Sequence, residues 1–103
     1  MKEDIAQLEK KYRPSGHVVT RTIAGETILV PISGDLAGMG KIYTLTGIGA
    51  SIWHRMDGTR SAQDILPDLL REFDVAEDML RSDVAEFIGQ LKASGLIMER
   101  ALP

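Results

Sequence analysis

Two histidines, a scatter of carboxylates, the Gly47-x-Gly49 pair and the serines Ser51 and Ser61 are the groups in this sequence best suited to chemistry. His17 and His54 stand far apart, and neither has a second ligand at metal-binding spacing. Asp64/Asp68 and Asp74/Glu77/Asp78 could in principle work as acid and base. Carboxylates in first helical turns, however, ordinarily serve the positive end of the helix dipole. Gly47-x-Gly49 follows a strand-like run and opens a helix-like one, the setting of a phosphate loop. No third Gly, no Lys and no repeated βαβ unit follows it. Ser51 and Ser61 lack the elbow sequence that exposes a nucleophile. The expectation is a protein that is not an enzyme and holds no cofactor or metal.

Bulk properties narrow the class further. The 103 residues suit one small domain, with 44% hydrophobic and 26% charged residues. The absence of cysteine removes disulfides and thiolate metal sites, and a cytoplasmic setting is the simplest expectation. No apolar run is long enough to span a bilayer. The net charge of −3 is unevenly placed: between Asp57 and Glu86 nine acids face three arginines. That is a poor surface for a polyanion.

The elements that must position any site fall into two halves. Lys2 to Tyr12 reads as a short helix or a tail, closed by Arg13-Pro14-Ser15-Gly16. Val18–Ile23 and Thr27–Ile32 read as strands, the second placing Ile28, Val30 and Ile32 on one face. Ala24-Gly25-Glu26 between them suits a hairpin in which Gly25 supplies positive φ. Pro31 cannot donate to a ladder, so the strand must end or bulge there. Ser33–Gly40 is a loop by composition, and Lys41–Leu45 is a third strand with Tyr43 and Leu45 on one face. Together these give an antiparallel meander.

Thr46 then suits the cap of a first helix with Ile48, Ile52, Trp53 and Met56 at helical spacing, ended by Asp57-Gly58. Trp53 in that stripe reads as core, wedging helices against sheet, with Gly47 and Gly49 allowing close approach. A second helix carries Leu66, Leu69, Leu70 and Phe73. Ser61 and Asp64 have capping-box spacing, but Pro67 would then lie beyond the first turn at a cost of about 3 kcal/mol. A start capped by Asp64 or a bend at Pro67 is therefore expected. The third helix, capped by Asp74 or a near neighbour, buries Leu80, Val84, Phe87, Ile88 and Leu91. Gly95 suits the left-handed exit, with Leu96 folding back on Leu91 and Leu96-Ile97-Met98 extended beyond it.

A sheet followed by helices has the outline of a winged helix, which raises DNA binding. The candidate recognition face, Glu77 to Glu86, carries Arg81 against Glu77, Asp78, Asp83 and Glu86, so electrostatics opposes it. Backbone chemistry offers another mechanism. An open strand edge accepts an extended peptide by main-chain pairing. If the third strand is an edge with the third helix beside it, strand and helix form a groove.

Leu45-Thr46-Gly47-Ile48-Gly49-Ala50-Ser51-Ile52-Trp53, then Met56-Asp57-Gly58-Thr59-Arg60-Ser61, resembles the pattern of the pyrroloquinoline quinone biosynthesis protein D (PqqD) family. Phe73-Asp74-Val75, Asp83-Val84, Phe87, Leu91 and Gly95-Leu96-Ile97 extend the likeness. Arg21, Gly25-Glu26 and Leu29-Val30-Pro31 extend it upstream, so that it covers about Val18 to Met98. The resemblance implies an α+β, winged-helix-like fold: a three-stranded antiparallel sheet followed by a three-helix bundle, over residues 17–99, with an N-terminal tail or short helix at 1–16 and a C-terminal tail at 100–103. It also implies a non-catalytic peptide chaperone. Such a protein binds the leader of a ribosomally made precursor peptide by strand addition and presents it to a radical S-adenosylmethionine enzyme. Carried onto this sequence, the backbone of Lys41, Ile42, Tyr43, Thr44 and Leu45 would pair with the leader. Met79, Asp83, Glu86, Phe87 and Gln90 would form the helix wall by helical-wheel inference. The opposite flank (Arg81, Ala85, Ile88, Lys92) is the alternative.

Thr46 stands where the family often has Asn, Ile48 where Thr or Ser is common, and the Ser33–Gly40 loop is long. The peptide and enzyme partners are thus open. Two rival classes are a winged-helix DNA-binding regulator and a structural subunit that dimerises through the edge, for instance by exchanging its N-terminal segment.

Overall fold

The structure, a computed structural model, describes residues 8–32 and 42–99. In chain order the elements are β1 (Tyr12–Pro14), β2 (Val18–Ile23), β3 (Glu26–Pro31), β4 (Tyr43–Leu45), α1 (Gly47–Arg55), α2 (Ala62–Glu72), α3 (Glu77–Ala93) and β5 (Ile97–Glu99). β2, β3 and β4 form the expected antiparallel meander, with β3 central. The hairpin between β2 and β3 turns on two residues, Ala24 and Gly25, both at positive φ (54° and 82°). That pattern matches the twist of the flanking strands, and Ala24 adopts it without glycine's freedom. Pro31 ends β3 opposite Val18. The Ser33–Gly40 loop and Lys41 lie outside the described residues.

The face of β3 turned to the core is the one opposite Ile28, Val30 and Ile32. Thr27 and Leu29 are buried, whereas Ile28 and Val30 are half-buried and Ile32 is exposed. Cross-strand register gives the reason. Thr20 lies opposite Leu29, which in turn lies opposite Tyr43. Trp53 donates from Nε1 to the Thr20 hydroxyl at 2.9 Å, so this row of residues faces the helices.

Of the Lys2–Tyr12 segment, expected as a short helix or a tail, residues 2–7 lie outside the described residues, and Leu8 and Glu9 are helical. Tyr12 instead opens β1. It pairs with Glu99 while Pro14 pairs with Ile97, so β1 and β5 make a two-stranded ribbon. The extended piece after Leu96 is thus present, and its partner is the N-terminal segment. Leu8 and Tyr12 are both fully buried, and that apolar burial favours docking of a segment too short to hold a helix alone.

The helices follow their stripes with three departures. Thr46 occupies the N-cap position of α1, but its side chain makes no cap bond. α2 starts at the early site: Ser61 and Asp64 form a reciprocal capping box, and Pro67 sits inside the helix. The box satisfies two amide donors that would otherwise be orphaned, which offsets the bond that Pro67 cannot donate. Ala76, a neighbour of Asp74 without a capping side chain, is the N-cap of α3. At the other end of α3 a complete Schellman motif forms around Gly95 (φ 76°). The Leu96 amide donates to the Leu91 carbonyl and the Gly95 amide to that of Lys92, both at 3.0 Å. Trp53, Ile52 and Met56 of the α1 region join Ile65, Leu69, Leu80, Val84 and Ile88 in one core.

Gly47 and Gly49 have different uses. Gly47 has φ of 56° and open space around it, so it serves backbone conformation rather than close approach. A Cβ on Gly49 would stand 3.4 Å from the ring of Phe87 and 4.0 Å from Leu45. A side chain there would thus meet both at ordinary van der Waals range, and Gly49 marks where α1 faces them without the approach requiring a glycine.

Arginines from three places converge on α2. Asp68 pairs with Arg60 at 2.9 Å, with Arg55 at 3.6 Å and with Arg71. Glu72 pairs with Arg55 at 3.3 Å and accepts from the Ser51 hydroxyl at 2.6 Å. The Arg60 hydrogen bond and the surrounding guanidinium groups hold the Asp68 carboxyl below its ordinary value. Hydrogen bonds from Ser61 lower Asp64, and those from Thr59 lower Asp57. A carboxyl lowered in the folded state stabilises the fold above its unfolded pKa and loses that contribution as pH falls through the folded value. Urea midpoints are therefore expected to fall on acidification below the ordinary carboxylate range. Asp68→Asn should flatten that fall and lower the midpoint at neutral pH.

Candidate functional site

β4 is the outer strand of its sheet, bonded to β3 on one side (Leu29 to Tyr43, Thr27 to Leu45). Its other side pairs with no strand among the described residues. Along that free edge lies a groove of about 330 Å³, lined by Ile42, Tyr43, Thr44 and Leu45 and by Phe87, Gln90, Leu91, Ser94 and Leu96. One wall thus offers backbone groups; the other is the C-terminal half of α3 and its exit.

Four of the five strand residues expected at a site (Ile42, Tyr43, Thr44, Leu45) line the groove, together with Phe87 and Gln90 from the helix. Lys41 lies outside the described residues. Asp83, Glu86 and Met79 are exposed on α3 and do not line the groove. Asp83 precedes Phe87 by one helical turn, and Glu86 precedes Gln90 by one, so both lie on the groove's side of the helix. Met79 lies one further turn before Asp83.

The opposite flank is taken up by packing. Ala85 and Ile88 are buried, Arg81 donates to the Gln63 side chain at 2.9 Å, and Lys92 stands 5.8 Å over the Tyr12 ring. Helical spacing alone leaves the choice of flank open; α2 and β1 pack against the flank of Arg81, Ala85, Ile88 and Lys92. Leu91, Ser94 and Leu96 were not among the expected site residues. The signal for two of them was present in the sequence, since the Schellman exit at Gly95 carries Leu96 back beside Leu91.

Phe87 behaves unlike the rest of its stripe. Leu80, Val84, Ile88 and Leu91 are buried, whereas Phe87 is only half-buried and lines the groove. Tyr43 and Leu45 are likewise half-buried against the core. The groove therefore has an apolar floor, with Gln90, Ser94 and the strand backbone as polar partners. Its geometry suits an extended peptide that bonds to β4 and places side chains on that floor.

Residues that could do side-chain chemistry are elsewhere. His54 is hydrogen-bonded through Nε2 to Thr27 Oγ1 at 2.8 Å, and no group of three metal-ligating side chains occurs among the described residues. No helix among them is long and apolar enough to cross a membrane. The acidic face of α3 has Arg81 already held by Glu77 at 3.2 Å, which disfavours approach of a phosphate backbone.

Residues 26–97 match the family described as coenzyme PQQ synthesis protein D (PqqD). The chain belongs to the PqqD family. The matched residues run from the start of β3 to the start of β5 and so include both walls of the groove. Among solved structures, the PqqD-family fold seen here is similar to TbiB1, in complex with the TbiA(beta) leader peptide. Identity is 21%, the alignment covers 87% of this chain and 99% of that one, and the TM-score is 0.71. It is also similar to lasso peptide synthetase B1, complexed with its leader peptide, at 19% identity, 85% and 98% coverage and a TM-score of 0.72. A comparison with curated proteins finds no match.

Proposed function

We propose that this PqqD-family protein is a non-catalytic peptide chaperone. It binds the leader of a ribosomally synthesised precursor peptide as an added strand on β4 and presents that peptide to a modifying enzyme of the radical S-adenosylmethionine class. The observation that carries this reading is the free edge of β4 facing a partly buried Phe87 across a groove. A strand edge alone is generic, but an edge beside an apolar floor supplies both main-chain bonds and side-chain selection. The two similar solved structures are each complexed with a leader peptide, which supports the same reading. Lys41, outside the described residues, belongs to the same proposed peptide-binding set. Met79, Asp83, Glu86 and Gln90 continue the helix wall.

Titration of leader peptides encoded near the gene into isotope-labelled protein tests this. Amide shifts are expected in residues 42–45 and 87–96. Shifts produced only by duplex DNA would instead support the regulator, and a concentration-dependent mass without peptide affinity would support the dimerising subunit.

A further inference from the structure

The charge of the accepted peptide can be read from where α3 extends past the groove. Leu45 and Phe87 approach each other beside α1, since both lie within 4.0 Å of the position that a Gly49 Cβ would occupy. From Phe87 the helix continues toward its N-terminus by ten residues, Glu77–Glu86. A strand bonded to β4 and running beyond the level of Leu45 therefore passes over the turn that carries Asp83 and Glu86. Both carboxylates are exposed, and neither forms an ion pair among the described residues. The nearest cation on this part of α3, Arg81, is turned to Glu77 and Gln63 on the other flank.

We propose that the leader recognised by this protein carries a Lys or Arg just beyond its apolar anchor, on the Leu45 side, where it meets Asp83 and Glu86. This rests on the peptide reading above and adds the partner's charge to it. An apolar side chain on Phe87, Leu91 and Leu96 provides most of the affinity. The carboxylates give selection, because an acidic residue at the same place meets two like charges. Solvent-exposed pairs are individually weak, so the two together are expected to change affinity by about tenfold.

The test uses a display library of random twelve-residue peptides, selected against the full chain at low salt. Three proteins are compared: the wild type, Phe87→Ala, and the double variant Asp83→Lys/Glu86→Lys. Clones that bind the wild type and are lost on Phe87→Ala report the groove. Among those, enrichment of Lys or Arg on one side of the apolar residue is expected. Their affinity should fall about tenfold for the double variant, by less at high salt, and selection on the double variant should enrich Asp or Glu instead. Groove-dependent clones without a basic bias, or with equal affinity for the double variant, would overturn the charge assignment while leaving the peptide reading intact. Absence of any Phe87-dependent clone would overturn the peptide reading and this inference with it.

Discussion

Trp53→Ala is expected to unfold the protein. The side chain is 3% exposed and sits in the core with Ile52 and Met56, and truncating a buried aromatic of this size costs about 3–5 kcal/mol. Domains of this length have only about 5–15 kcal/mol in total. Trp53→Phe separates packing from hydrogen bonding. The indole N–H is bonded to Thr20, whose residue is exposed, so the hydroxyl returns to water when the indole goes. Phe should therefore cost only the lost ring volume and leave a cooperative transition. Chemical denaturation followed by circular dichroism reads both variants. A stable Trp53→Ala protein that no longer binds peptide would move this residue from the scaffold to the site.

Phe87→Ala is expected to do the reverse: spare the fold and remove binding. Phe87 is only partly buried at the edge of the core, so its deletion costs less stability than that of a fully buried phenylalanine. As a lining residue of a small groove, in contrast, an aromatic anchor is worth about 2 kcal/mol or more of binding, roughly 30-fold in Kd. Calorimetric titration with the leader beside a urea melt measures the two quantities on one preparation. Loss of binding in proportion to loss of folded protein would count against the groove.

These two aromatics show what could be read without coordinates. Both occupy apolar positions of amphipathic helices, and the stripes of α1 and α3 identified them as inward-facing from spacing alone. Spacing could not distinguish Trp53, which the sheet covers, from Phe87, which it leaves half-open. That difference depends on how far the three-residue strand β4 reaches along α3, a tertiary property. The same limit applies to β3. Its alternating Ile28, Val30 and Ile32 form an apolar face, yet the inner row is Thr27 and Leu29, chosen by register with Thr20 and Tyr43. Pro67 misled for a local reason: its cost was legible, while the compensating Ser61–Asp64 box shares the same few residues and starts the helix anyway. Tyr12 was misplaced because its partner, Glu99, lies at the opposite end of the sequence, beyond the reach of any periodicity.

That pairing of β1 with β5 bears on how the chain reaches this structure. A contact between residues almost the whole described chain apart confines the longest loop available, and its closure entropy is offset only once most of the intervening chain is ordered. The meander and the α1–α3 packing are local by comparison. The ribbon is therefore the natural last step of folding and the first part to open under native conditions. Leu96, which lines the groove, directly precedes β5. Amide exchange at Tyr12, Arg13 and residues 97–99 would report openings that loosen the Leu96 end of the groove, while the free edge of β4 stays in place.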